Sequence, residues 1–261
     1  MTEKKPRVVI TGAASGIGAA CATRLVHDGW APILIDINAA RLQGIGQRLN
    51  AETHVLDVTD EQSTETLAEE LWAKGAIEGF VASAGIVQSP LPPHQLSMAE
   101  WDRVVSVDLR GLYLGCRAFG TRMAYAGKGA IVTISSCAGL GSTPLHAYGP
   151  VKAAVISLTS TLAAEWGRSG VRVNGVAPAF TLTELVRERA GNGERNLELF
   201  KQSHLIGRMI EPEEIAAPVA FLLSSEASAI TGTTLPVDGG ILSTEGWPSY
   251  GGLRPAYAPE A

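Results

Sequence analysis

Short, β-branched apolar runs alternate along this chain with longer stretches whose apolar residues recur at helical spacing. Runs at residues 7–11 (RVVIT), 31–36 (APILID), 53–56, 79–82, 130–134, 171–176 and 233–237 predict seven buried strands. Between them the spacing predicts helices up to about residue 28, then over 39–49, 63–73, 101–126, 147–168 and 212–224. The 101–126 pattern follows a capping Ser97 and carries Val104, Val107, Leu112, Leu114 and Phe119 on its apolar side. Ser89–Pro93 (SPLPP) can only be a loop. Strands alternating with helices predict an α/β fold, a parallel sheet with helices on both faces.

No repeat and no linker divides the chain, so residues 1–261 are expected to form a single domain. A polar stretch over 184–202 predicts a mobile helical lid, part of a lid segment spanning 184–210. The tail 243–261 is rich in Gly, Pro, Trp and Tyr without a period. It is expected to pack at a subunit interface or to close a neighbour's pocket.

Composition narrows the function classes. With 46% hydrophobic and 18% charged residues the chain can build a large core. A net charge of -5 leaves no basic footprint for nucleic acid. No run reaches the ~18 apolar residues of a membrane span, and MTEKKPR lacks the apolar core of a secretory signal. The 3 cysteines, Cys21, Cys116 and Cys137, have neither metal nor disulfide spacing. A cytoplasmic, metal-free protein is expected.

The candidate chemistry sits at strand ends. TGAASGIG, Thr11 to Gly18, joins the first strand to a helix. Gly12 permits a tight turn, Gly16 and Gly18 permit close backbone approach, and the helix start offers free N–H groups to a phosphate. Asp36 ends the second strand 18 residues after Gly18, where an acid accepts hydrogen bonds from an adenosine ribose. It would repel a 2′-phosphate, and Ile37 follows where an arginine would welcome one, so NAD is expected over NADP. Asp36 capping the next helix is the alternative. Asp57 ends the third strand and suits either an adenine amino group or a helix cap. Small residues at Ser83, Ala84 and Gly85 let a cofactor lie on the backbone.

The central stretch is AIVTISSCAGLGSTPLHAYGPVK, Ala130 to Lys152. Tyr148 and Lys152 stand four apart, on one helix face. A phenol titrates near pH ~10, so a neighbouring ammonium is what would let Tyr148 act as a base near neutrality. A strand-end serine, Ser135 or Ser136, could hold a substrate oxygen against it. An ordinary helix surface is the alternative for both residues.

Together these motifs resemble the short-chain dehydrogenase/reductase family over nearly the whole length, from TGAASGIG through Ser135-Ser136-Cys137-Ala138-Gly139, Tyr148-x-x-x-Lys152 and Asn174-Gly-Val-Ala-Pro178 to VDGG near the end. The resemblance implies a single Rossmann-type, doubly wound domain with seven parallel strands, a nicotinamide cofactor, and a homotetramer or homodimer. It makes Tyr148 the acid/base and Lys152 the residue that lowers its pKa and holds the ribose. The serine is Ser136, with 11 residues before Tyr148, although the commonest family spacing selects Ser135. Cofactor contacts fall on Gly12, Ser15, Gly16, Ile17, Gly18, Asp36, Ile37, Asp57, Val58, Ala84, Gly85, Tyr148, Lys152, Pro178, Phe180, Thr181 and Thr183. Two departures stand out. Ala82-Ser83-Ala84-Gly85 replaces Asn-Asn-Ala-Gly, and Asp108 replaces a helix asparagine of the family's proton relay, which leaves Asp108 a weak catalytic candidate.

The expected reaction is NAD-dependent interconversion of a secondary alcohol and a ketone. An NADPH-dependent 3-oxoacyl or carbonyl reductase is the second reading, against which Asp36 argues. A non-catalytic NAD sensor is the third. Gln88, His94, Ser142 and His146 are the substrate candidates, and their polarity favours a sugar or polyol.

Overall fold

The computed structural model describes residues 5–192, 196–244, 246–254 and 257. Residues 193–195 of the expected lid, and 245, 255–256 and 258–261 of the tail, lie outside the described residues. The elements in order are β1 (Arg7–Thr11), α1 (Gly16–His27), β2 (Ala31–Asp36), α2 (Ala39–Leu49), β3 (Glu52–Val55), α3 (Glu61–Ala73), β4 (Gly79–Ala82) and α4 (Met98–Val105). A π-helical segment (Ser106–Gly111) leads into α5 (Leu112–Ala126), β5 (Gly129–Ile134), α6 (Tyr148–Trp166), β6 (Val171–Pro178), α7 (Glu184–Gly191), α8 (Leu197–Ser203), α9 (Pro212–Leu223) and β7 (Thr234–Val237).

The strands form one parallel sheet in the order β3-β2-β1-β4-β5-β6-β7. Strand alternation sends neighbouring side chains to opposite faces. Val8 and Ile10 therefore meet Leu25 of α1 and Val219 of α9 on one face. Val9 meets Leu71 of α3, Phe119 of α5 and Val155 of α6 on the other. Phe80 and Phe119 are buried with ring centroids 5.1 Å apart, each contributing about 1.5–3 kcal/mol by burial alone. The chain reverses direction across the sheet between β1 and β4, and a crevice opens there at the strands' C-terminal ends.

Several predicted boundaries move, for local reasons. The third strand lies at 52–55, one residue early. Asp60 caps α3 by accepting from the Ser63 N–H at 3.0 Å, so that helix starts at Glu61. β6 runs on to Pro178 because Pro178 still pairs with Val237. The long helix expected over 101–126 starts at Met98, capped by Ser97 (Oγ from Glu100 N–H, 3.1 Å), and is interrupted by the π segment. A π turn inserts an extra residue and re-aims side chains; here it carries the buried Asp108. No helix among the described residues is long and apolar enough to cross a membrane.

Candidate active site

A cleft of about 1190 Å³ runs along the crevice. At one end is the glycine loop. Gly12 and Gly16 adopt φ of +69° and +53°, which side chains disfavour. A Cβ on Gly12 would sit 2.8 Å from Ala84 Cα, and one on Gly18 would sit 2.2 Å from the Gly12 carbonyl oxygen. The loop is therefore packed on Ser83–Ala84 and on itself. Ser15 precedes α1 in extended backbone without a side-chain cap, which leaves the helix's first amides for an anion.

Asp36 stands beside this loop. Its Oδ2 accepts from Ala14 N–H (3.0 Å) and its Oδ1 from Asn38 N–H (2.9 Å). Asn38, not Asp36, caps α2. Asp57 receives both the N–H and the hydroxyl of Thr59 (2.9 and 2.8 Å), while Asp60 takes the capping role. Ile37, Asp57 and Val58 line the cleft with Ser15, Gly16, Ile17, Gly18, Ala84 and Gly85. This cradle, with backbone where a Cβ would clash and an acid, Asp36, lining it, fits a dinucleotide.

At the β5–β6 end the catalytic candidates converge. Tyr148 is the first residue of α6, with Lys152 one turn on and its Nζ 5.3 Å from the phenol ring centre. Lys152 Nζ donates to the Ile134 carbonyl (3.1 Å) and lies 3.0 Å from Asp108 Oδ2. The two serines separate. Ser135 donates to the Lys152 carbonyl at 2.7 Å, a buried structural bond. Ser136 donates to the Pro178 carbonyl (3.3 Å), accepts from Ala138 N–H (3.2 Å), and contacts the phenol in a way that favours its ionised form.

The electrostatics differ from the sequence expectation. Burial raises the Tyr148 pKa above the ordinary tyrosine value; Lys152 opposes this, but Asp108 and Cys137 add to it. Burial pulls Lys152 down, yet the Asp108 carboxylate and Tyr148 hold it above the ordinary lysine value. Burial raises Asp108 as well, against Lys152 and the Ile86 N–H. Lys152 alone does not make the phenol acidic, because burial outweighs its charge and Asp108 offsets part of that charge.

Pro178, Phe180, Thr181 and Thr183 line the same cleft. Thr183 caps α7 through its Oγ1 (from Val186 N–H, 3.4 Å), and Phe180 stacks on Phe200 of α8 with centroids 4.2 Å apart. Among the described residues of the segment 184–210, α7 and α8 contribute Leu185, Val186 and Phe200 to the cleft.

None of Gln88, His94, Ser142 or His146 lines the cleft. Gln88 is 1% exposed and its amide oxygen is taken by backbone N–H groups of Ala147 and Tyr148. His94 and Ser142 are exposed. Ahead of α6, the Leu145 carbonyl accepts from Gly149 N–H (2.9 Å) and closes a turn over 145–149, and residues two apart on such a turn face apart. His146 is therefore offset from Tyr148. The cleft is lined instead by Ile86, Val87 and Pro90 after β4, by Cys137 and Thr143–Leu145 after β5, and by Leu185, Val186, Phe200 and Met209. Loop and lid residues carry no periodic signal, so the sequence did not single them out.

The comparisons agree with this geometry. Residues 12–242 match a family model described as enoyl-(acyl carrier protein) reductase. The chain is 38% identical over 239 residues to D-threitol dehydrogenase of Mycolicibacterium smegmatis, covering 89% of this chain and 91% of that one. It is 40% identical over 240 residues to galactitol 2-dehydrogenase (L-tagatose-forming) of Cereibacter sphaeroides, covering 88% and 92%. A crystal structure described as ribose-5-phosphate isomerase of Brucella melitensis superposes with a TM-score of 0.94 at 45% identity, covering 96% and 98%. With the glycine loop, the Tyr148–Lys152 pair and the strand order in place, the chain belongs to the short-chain dehydrogenase/reductase family.

Proposed function

We propose that the protein interconverts a secondary alcohol and the corresponding ketone with NAD(H), on substrates that include sugars or polyols. The carrying observation is the meeting of Tyr148, Lys152 and Ser136 at the far end of a cleft that begins with a glycine loop and Asp36. When bound, the oxidised nicotinamide supplies the acceptor for the carbinol hydride and a positive charge beside the phenol. Tyr148 takes the hydroxyl proton in oxidation and returns it in reduction. Ser136 orients the reacting oxygen. Lys152 supports the phenolate and, with Ala84, Gly85 and Thr183, holds the cofactor's ribose and amide side. Asp108 holds Lys152 in place.

Asp36 supports NAD over NADP: both its oxygens are fixed by backbone N–H groups, and its charge opposes a 2′-phosphate. Arg41, one turn further, is engaged by Glu188 (3.4 Å) and Glu184 (3.9 Å) of the lid. Polyol dehydrogenases among the relatives support the substrate class. The isomerase description of the Brucella neighbour is not carried over, because a sugar isomerisation moves a proton within one molecule and has no task for a dinucleotide cradle. An assembly of two or four copies follows from the family resemblance, and the free thiols Cys21, Cys116 and Cys137 suit the cytoplasm.

The test is NADH formation with threitol, galactitol and meso-2,3-butanediol, in parallel with NADPH formation. Turnover with NAD is expected, and Tyr148→Phe should lower it by about 10²–10⁴ with NADH binding retained. NADH binding without turnover on any alcohol or ketone supports a sensor. A Tyr148→Phe variant that turns over undiminished ends the reading.

A further inference from the structure

α6 begins abruptly at its most important residue. Tyr148 is its first residue, and Ala147 before it has no side chain able to cap. The first amides of a helix have no partner within it and need one from elsewhere. That partner is Gln88, from the loop after β4. Its Oε1 accepts from Ala147 N–H at 2.5 Å and from Tyr148 N–H at 3.0 Å, and the side chain is 1% exposed. Its Nε2 donates weakly to the neighbouring Ser89 carbonyl (3.4 Å).

The same short strip touches Tyr148's charged neighbours. Ile86 N–H donates to Asp108 Oδ1 at 2.8 Å. A Cβ on Gly85 would fall 2.9 Å from Asp108 Oδ2 and 3.5 Å from Lys152 Nζ. Ile86 and Val87 also form cleft wall.

We propose that Gln88 is a positioning residue, whose neutral amide oxygen caps the catalytic helix from outside and sets the placement of the Tyr148 phenol against Ser136. It thereby ties the cleft wall after β4 to the reacting centre. Neutrality matters. The phenol is faced by Lys152 on its own helix, by Asp108 of the π segment, and by Cys137 and Ser136 after β5. A carboxylate at position 88 would keep the acceptor and add a second buried negative charge, at the start of the helix that carries Tyr148. The inference rests on Tyr148 being the acid/base.

The test compares Gln88→Met, which keeps the bulk and loses the acceptor, with Gln88→Glu, which keeps the acceptor and gains charge. Gln88→Met is expected to lower kcat on meso-2,3-butanediol by about tenfold to a hundredfold, leave the Kd for NADH unchanged, and speed hydrogen exchange at the Ala147 and Tyr148 amides. Gln88→Glu is expected to keep slow exchange and move the phenol titration, read by ultraviolet absorbance against Tyr148→Phe, to higher pH by about half a unit or more. Parent-like kcat in Gln88→Met, fast exchange in Gln88→Glu, or an unmoved titration each overturns the proposal. If Gln88→Met does not fold, the Gln88→Glu arm decides alone. Exchange and titration need no turnover, so they separate the failure of this role from the failure of the alcohol/ketone reading.

Discussion

Lys152 Nζ lies 3.0 Å from Asp108 Oδ2, and both side chains are buried beneath the cleft. Asp108 Oδ2 accepts no aligned hydrogen bond among the described residues, so the contact is an ionic one. The carboxylate claims part of the charge that would otherwise act on Tyr148. Asp108→Asn removes that opposing charge, leaving burial as the main effect against Lys152. The phenol's pKa then falls, and the rising limb of alcohol oxidation moves to lower pH by about one unit. Profiles of kcat against pH in both reaction directions check this; a move to higher pH refutes it. Asp108→Ala leaves the buried ammonium without its counter-charge, bonded only to the Ile134 carbonyl, and should cost about 3–5 kcal/mol in denaturant unfolding.

The two adjacent serines should behave oppositely. Ser135 is bonded to the Lys152 carbonyl, so Ser135→Ala costs about 1 kcal/mol of stability and changes kcat little. Ser136 contacts the phenol, so Ser136→Ala lowers kcat by about 10–10³ with a small effect on melting temperature. Steady-state kinetics and thermal melts on the pair decide the assignment.

Cofactor preference should turn on one charge. Asp36→Asn keeps most of the side chain's shape and removes the repulsion toward a 2′-phosphate. The ratio of kcat/KM for NADP over NAD should rise by roughly tenfold, about 1.4 kcal/mol. An unchanged ratio would move the selectivity elsewhere in the cleft.

A fourth expectation concerns acid stability. Glu214 accepts from both Arg208 Nη atoms (2.7 and 2.8 Å) and from Glu211 N–H (2.9 Å), which holds its pKa at about 2, below the ordinary 4.5. A lowered folded-state pKa stabilises above the unfolded value and loses that contribution as pH falls toward 2. Glu214→Gln keeps an oxygen able to accept from Glu211 N–H and loses the charge pairing with Arg208, so it should cost up to about 1 kcal/mol near neutrality. The gap between parent and variant should close by pH 2 in denaturation curves. A constant gap would show that packing, not charge, sets the difference.

The sheet, the glycine loop and the Tyr148–Lys152 pair were legible because each depends on near neighbours in the chain. Strand alternation, a turn that only glycine enters, and two residues one helical turn apart are local geometry. The choice between two roles for Asp36 was not local: it required seeing that Asn38 caps α2 and leaves Asp36 to the glycine loop. The resemblance favours Ser136 while the commonest spacing selects Ser135, and only the path of α6 behind β5, where Ser135 bonds the Lys152 carbonyl, sets the two apart.

The amino-acid order by itself determined the parallel α/β architecture, the glycine loop and the placing of Tyr148 and Lys152 one helical turn apart. Only the tertiary structure decided that Gln88 serves a backbone 59 and 60 residues away, that the polar substrate candidates lie off the cleft, and that Asp108 meets Lys152. The physical reason is that a buried polar group must find its partner wherever packing puts one, and that search ignores distance along the chain.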